Sequence, residues 1–310
     1  MTALICGSMA YDTIMVFPDK FKHHILPEQV HILNVAFLVP ELRREYGGCA
    51  GNIAFNLRQL GGDPLIMATV GKDFTPYSQW LSCCGIRQDH ITVLEESYTA
   101  QAYITTDMDD NQITAFHPGA MSFAHHNSVP QDQGIRLGLI SPDGKDGMIQ
   151  HAAECVRAGI PFIFDPGQGL PMFNGEELLD FIEKASWVTV NDYESQLLQE
   201  RTGLSLAALA EKVEALIVTR GAQGSVIHVG GECIDIPPAT PRRAVDPTGC
   251  GDAYRAGLVY GLMENLDWPT TGRIASLLGA IKVECYGTQN HGFTLATFKQ
   301  RYRESYGAAF

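Results

Sequence analysis

Apolar and polar positions run along this chain in two rhythms, one irregular and one steadily alternating. Residues 3–9 form a short apolar run ending in small residues, which predicts a buried first strand. From 13 to 46 the pattern breaks around Pro18, Pro27 and Pro40, with short apolar runs such as 35–39, and predicts strands and turns outside the core. Gly47, Gly48 and Gly51 then open a helix running through Leu60, whose Ile53, Leu57 and Leu60 share a face and which stops at Gly61 and Gly62. A strand over 65–70, a turn over 71–73 and a helix over 74–84 follow. Segments 100–106 and 112–116 alternate as two strands joined by a turn over 107–111, a second excursion in hairpin form.

From residue 137 the rhythm becomes regular. Strands over 137–140, 161–165, 187–190 and 215–219 alternate with helices near 147–158, 176–184, 193–202 and 206–213. Short strands over 225–229 and 232–236 precede a helix reaching about 264, and helices near 271–284 and 295–304 close the chain. Alternation with short loops predicts a mostly parallel sheet covered on both faces. The expected organisation is one α/β core (1–12, 47–98 and 119–310) carrying a small β piece from 13–46 and 99–118.

Composition narrows the function classes. The 310 residues are 45% hydrophobic and 18% charged, an ordinary globular balance. A formal net charge of −13 disfavours non-specific binding to nucleic acid or anionic membrane, so the positive field around any anionic ligand must be local. The start of the chain has no basic, long apolar leader, and no stretch approaches the roughly 20 apolar residues of a membrane span. Eight cysteines without a C-x-x-C spacing read as free thiols in a reducing cytoplasm.

Candidate chemistry gathers at three predicted strand-to-helix junctions: Gly47–Asn52, Asn191–Glu194 and Asp246–Asp252. In the last, Pro247, Gly249 and Gly251 make turn chemistry that feeds a helix start, a ready anion site with Asp252 beside it. Locally Asp252 reads equally as a cap or as an acid/base group. Asn191 and Glu194, at i and i+3, suit either a capping box or water-bound Mg²⁺ facing phosphates. Competing motifs fail. Tyr254 stands where a dinucleotide fingerprint needs glycine, and no P-loop or G-x-S-x-G elbow occurs. The 107–111 turn starts like a calcium loop but has Gln112 for glycine and Pro118 for the closing glutamate. His23–His24 and His125–His126 lack a third metal ligand.

Taken in order, Tyr46-Gly-Gly-Cys-Ala-Gly-Asn52, the Asn191-x-x-Glu194 pair, Val218-Thr-Arg-Gly-Ala-Gln-Gly-Ser225 and Asp246-Pro-Thr-Gly-Cys-Gly-Asp252 resemble the signatures of the ribokinase-like (PfkB) carbohydrate and nucleoside kinase family. Within it, Ile113–Met121 and Tyr286–His291 look most like bacterial and archaeal adenosine (nucleoside) kinases. The resemblance implies a three-layer α/β sandwich with a small β lid, and ATP-dependent phosphorylation of a ribonucleoside 5′-hydroxyl, with adenosine the expected acceptor. It implies Asp252 as base, with amides of Gly249, Cys250 and Gly251 as anion hole. Asp12, Gly48 and Asn52 would hold ribose, and Phe116, with Phe37 or Met121, would wall a purine. Asn191, Thr219, Gly221 and Gly224 would face ATP, Glu194 would act on Mg²⁺ through water, and Asp246 would ligate a monovalent cation such as K⁺. A cytoplasmic monomer, or a homodimer joined through the lid, is expected. The alternatives are ribokinase or another simple sugar kinase, and a non-catalytic nucleoside-binding regulator.

Overall fold

The computed structural model describes residues 2–25, 34–109, 111–131 and 133–310, so lid residues 26–33 and residue 110 of the hairpin turn lie outside the described residues. Its main sheet has nine strands. From one edge they are β5 (Arg87–Leu94), β4 (Asp63–Gly71), β1 (Thr2–Cys6), β8 (Ile135–Ile140), β9 (Phe162–Phe164), β10 (Trp187–Asn191), β11 (Ala215–Thr219), β12 (Ser225–Val229) and β13 (Glu232–Ile236). Pairing is parallel from β5 to β11 and antiparallel for β12 and β13. Successive side chains of a strand point to opposite faces. Ala3 and Ile5 therefore join one core while Leu4 and Cys6 join the other.

Helices α1 (Cys49–Gln59), α2 (Thr75–Cys83), α7 (Cys250–Met263), α8 (Trp268–Lys282) and α9 (Leu295–Tyr306) cover the first face. Helices α3 (Lys145–Ala158), α4 (Gly175–Lys184), α5 (Asp192–Thr202) and α6 (Leu206–Ala210) cover the second. This is the three-layer α/β sandwich expected from the alternation.

A second, four-stranded sheet is ordered β3 (Glu41–Gly47), β2 (Ala10–Val16), β6 (Ala100–Thr106), β7 (Gln112–His117). It is mixed: β2 runs parallel to β6, and the outer pairs are antiparallel. Both excursions build it, but the boundary placed after residue 12 falls inside β2, so Asp12 belongs to the lid sheet. Strand β5 was not anticipated. It is a sheet edge with no fully buried residue, so polar positions such as Arg87, Asp89 and His90 hide its rhythm. Helix α8 starts three residues earlier than expected, because Asp267 caps it by accepting from the Thr270 amide.

Gly257 and Gly261 let α7 pack closely against α8. An added Cβ on Gly257 would lie 2.4 Å from Ala275 Cα in α8, and one on Gly261 would lie 2.3 Å from Thr271 Oγ1. This contact holds α7, and hence the Asp246–Asp252 turn at its head, against α8. Gly257→Ala forces backbone apart in that contact, and an overpacked core position typically loses about 1–3 kcal/mol. Urea unfolding should show that loss; unchanged stability would mean the helices are looser than this.

Candidate active site

The chain order reverses at β1, whose neighbours β8 and β4 are reached by excursions in opposite directions. Open α/β sheets bind ligands at the carboxyl ends of strands around such a point. A cavity of about 400 Å³ lies there, lined by Pro142 after β8, Asp165 after β9, Asn191 ending β10, Thr219 ending β11, and Gly249, Gly251 and Asp252 at the head of α7. Cys49, Gln168, Asp192, Glu194, Gly221 and Arg255 complete its wall. The three junctions singled out in sequence thus meet in one place.

Asp252 accepts a 2.8 Å hydrogen bond from Asn52 Nδ2. Burial pushes its carboxyl up to about 6, against the opposing pull of Asn52 and Arg255. It is therefore still ionised near pH 7, as expected, but with a narrower margin than a helix N-terminus alone would give. Asn52 is itself held: Gln289 Nε2 donates to its Oδ1 at 3.0 Å and to Tyr77 Oη at 2.6 Å, and Trp80 Nε1 donates to Gln289 Oε1 at 2.8 Å. Tyr77 in turn donates to Gly47 O at 2.8 Å.

The glycine turn works differently at the two helices it introduces. Gly48 adopts φ 86°, and a Cβ there would lie 2.5 Å from Ser8 O. Its role is that close approach, after which Cys49 N donates to Ser8 Oγ and Ala50 N to Ser8 O. The first amides of α1 are consumed. At α7, Gly249 takes φ 79° and, with Gly251, lines the cavity at a helix N-terminus, where backbone chemistry suits an anion. Cys250 departs from the expected trio, since its amide donates to Pro247 O at 3.1 Å and it does not line the cavity. The Tyr254 hydroxyl shares a 2.6 Å hydrogen bond with Ser225 Oγ.

For Asn191 and Glu194 the structure shows the capping box. Asn191 Oδ1 accepts from Glu194 N at 2.7 Å and Glu194 Oε2 accepts from Asn191 N at 2.8 Å, a full capping box. Both residues also line the cavity. Burial raises the Glu194 carboxyl above the usual range, and Arg255, 3.9 Å away, opposes this. Arg255 was unassigned in sequence. It is 5% exposed and grips Asp165 with two bonds, Nε to Oδ2 at 2.8 Å and Nη2 to Oδ1 at 2.9 Å. Burial disfavours its charge, but Asp165 and Glu194 more than compensate, holding the guanidinium above its ordinary pKa. An arginine at the sixth position of a helix carries no local signal of a partner 90 residues away.

Other expected residues lie elsewhere. Asp12 sits on β2, packed so that a Cβ on Gly47 would be 2.5 Å from its Oδ2, and burial aided by Glu45 and Asp246 pushes it to about 6. It does not line the Asp252 cavity. Gly224 is explained by the β12–β13 hairpin, since a Cβ would strike Ile236 O at 2.1 Å. Arg220 pairs with Asp235 at 3.0 Å. Phe116 is 53% exposed on β7, while Phe37 packs on Phe17 and Phe21, so these two rings form no common wall here. Asp246, expected as a cation ligand, has both oxygens occupied by backbone: Oδ1 by Thr248 N and Oδ2 by Gly287 N, each at 2.9 Å. Among the described residues, no group of three or more His, Cys, Asp or Glu forms a metal site, and all eight cysteines are unpaired. Among the same residues, no helix is long and apolar enough to cross a membrane.

Comparison with known proteins agrees with this geometry. Residues 9–294 match the family described as pfkB family carbohydrate kinase. The chain belongs to that family. It is 32% identical to the Methanocaldococcus jannaschii nucleoside kinase, over 83% of this chain and 85% of that one. It superposes on the Burkholderia thailandensis nucleoside kinase in complex with inosine with a TM-score of 0.90, at 48% identity and 99% coverage of both chains. The Bacillus subtilis ribokinase is 25% identical over 78% of this chain and 83% of its own. Arg255 ties the Asn191–Glu194 and Asp246–Asp252 junctions to Asp165 at the end of β9. Arg255→Met leaves Asp165 buried without its partner, so unfolding stability should drop by about 3–5 kcal/mol. A drop in urea midpoint corresponding to less than about 1 kcal/mol would remove the pair from this role.

Proposed function

We propose that this protein transfers the γ-phosphoryl of ATP to the 5′-hydroxyl of a ribonucleoside, with adenosine preferred. One observation carries the reading: a carboxylate, Asp252, stands beside the amide-rich head of α7 in a cavity that also holds the Asn191–Glu194 pair. In phosphoryl transfer the protein supplies mainly position and charge stabilisation. Asp252 accepts the hydroxyl proton as the oxygen attacks, and Asn52 keeps the carboxylate aimed. The amides of Gly249 and Gly251 stabilise charge developing on the transferred group.

Asn191, Thr219 and Gly221 line the side on which ATP would enter. The donor set fits Mg²⁺ held through its water shell. One Glu194 oxygen is committed to the cap, and Mg²⁺ characteristically keeps several waters and uses one or two carboxylates plus substrate phosphates. When bound, it would neutralise phosphate charge. Asp12, Gly48 and Phe116 remain the acceptor-side residues of this reading, brought over the cavity by lid movement that excludes water.

A nucleoside is favoured over a phosphosugar because Arg43, Arg44 and Arg58, the arginines nearest in sequence to the Gly47–Asn52 junction, are engaged elsewhere. Arg44 lies over the Tyr11 ring at 3.6 Å, Arg43 over Tyr286 at 5.1 Å, and Arg58 bonds Gly62 O at 3.4 Å. Similarity to nucleoside kinases, one of them bound to inosine, supports a purine acceptor. A cytoplasmic protein is proposed, monomeric or paired through the lid, whose β7 is exposed throughout. An ADP-release assay over nucleosides and sugars tests the acceptor. Turnover of ribose with none of adenosine, inosine, guanosine or cytidine would replace this reading with a sugar kinase.

Two further outcomes are expected. Asp252→Asn should lower kcat by at least about 10²-fold while nucleoside binding, measured by calorimetry, persists; unchanged turnover would remove the base. Only the ionised carboxylate can take the proton, so kcat should be flat above pH 7. It should then fall about tenfold per pH unit below the Asp252 pKa of about 6. A rate still level at pH 5 would contradict that assignment.

A further inference from the structure

A lysine lies inside this fold where a free cation was expected. Lys282 ends α8 and its side chain is completely buried. Its Nζ donates to Asp246 O at 2.7 Å and to Cys285 O at 3.2 Å, and stands 3.9 Å from Asp246 Oδ2. An ammonium has three donors. Two meet carbonyls and the third faces a carboxylate, which is how a buried charge becomes tolerable. The C-terminal end of a 15-residue helix adds favourable negative potential. Other titratable groups around it include Glu45 of β3, the thiols of Cys250 and Cys285, and His291.

These partners belong to the two loops that frame the head of α7. Val283 O accepts from Val245 N at 2.8 Å and Asp246 N at 3.1 Å, so one loop is tied to the end of α8. Asp246 then links that loop to the other through the amides of Thr248 and Gly287. Three residues beyond Asp246 stands Gly249, which faces the cavity. A monovalent ion at this junction would need the same carbonyl oxygens and the same carboxylate. The ammonium already holds them, and a second cation beside it would meet direct repulsion.

We infer that Lys282 is a positioning residue that acts as a tethered cation, fixing the 245–249 and 285–287 loops so that this protein has no use for K⁺ there. The chemical consequence is specific. Removing the ammonium while keeping an apolar stem of similar length leaves two carbonyls and a carboxylate around a vacant space, a site that then accepts K⁺ or NH₄⁺.

The test compares wild type with Lys282→Met in choline chloride, NaCl, KCl and NH₄Cl at equal ionic strength. It follows both thermal unfolding and initial rate of ADP formation. The rate arm rests on the nucleoside-kinase reading; the thermal arm does not, so the two can fail separately. Wild type should show the same melting midpoint in all four salts, and rates within about twofold of one another. Lys282→Met should melt lower and turn over at least about tenfold more slowly in choline. It should regain both properties in KCl or NH₄Cl, a rescue that lost packing alone would not produce. Stimulation of wild type by K⁺ of about tenfold or more would overturn the inference, as would a Lys282→Met protein that loses rate and stability with no cation restoring either. If Lys282→Met does not fold, the wild-type salt series decides the matter alone.

Discussion

Most of this site depends on one buried ion pair. Arg255 projects from the first turns of α7 into the crevice beyond the strand ends, and Asp165 meets it with both oxygens. A charge there without a partner would cost several kcal/mol, so the pair has essentially one acceptable arrangement. That arrangement fixes how α7 is rotated about its axis, and therefore where Asp252, three residues earlier, points. The same guanidinium reaches toward Glu194 and bonds Gly251 O at 3.3 Å. Strand ends β9 and β10 and the head of α7 are thus held by a single side chain.

An acidic protein binding a polyanion needs its positive field placed locally, and the chain does so with backbone. Two helices begin with glycine-rich turns, yet their first amides are placed differently. Ser8 takes those of Cys49 and Ala50 in α1, whereas at α7 Gly249 and Gly251 line the cavity. Charged side chains support the turn from behind. Arg255 is neutralised by Asp165 and Glu194, and Lys282 by Asp246 and loop carbonyls. Both act by holding geometry, which is where phosphoryl-transfer catalysis draws most of its effect.

A second line of contacts runs from Asp252 through Asn52 and Gln289 to Tyr77 and Gly47. It joins Asp252 to the end of β3, where the small sheet runs into helix α1. His291 extends the line with a 2.8 Å contact to Asn56. The 286–291 segment, which in sequence only resembled nucleoside kinases, is therefore the clamp on helix α1. Burial along this line also lifts the Asp252 pKa toward 6, which makes it a stronger base while keeping it ionised at neutral pH.

The alternation of apolar runs determined the three-layer core, because residues buried on both faces of a parallel sheet must be apolar regardless of what binds there. The order of Gly-Gly, Asn-x-x-Glu and Gly-Cys-Gly-Asp determined the family and named Asp252, since turn geometry and backbone approach demand those residue types locally. Strand β5 escaped because an exposed edge imposes no such pattern. Only the tertiary structure decided which glycine turn lines the cavity, which carboxylate Arg255 meets, and that Lys282 lies behind Asp246. Each of these depends on partners tens to hundreds of residues apart. A charge is buried only when the fold supplies its counter-charge, and no local spacing encodes that meeting.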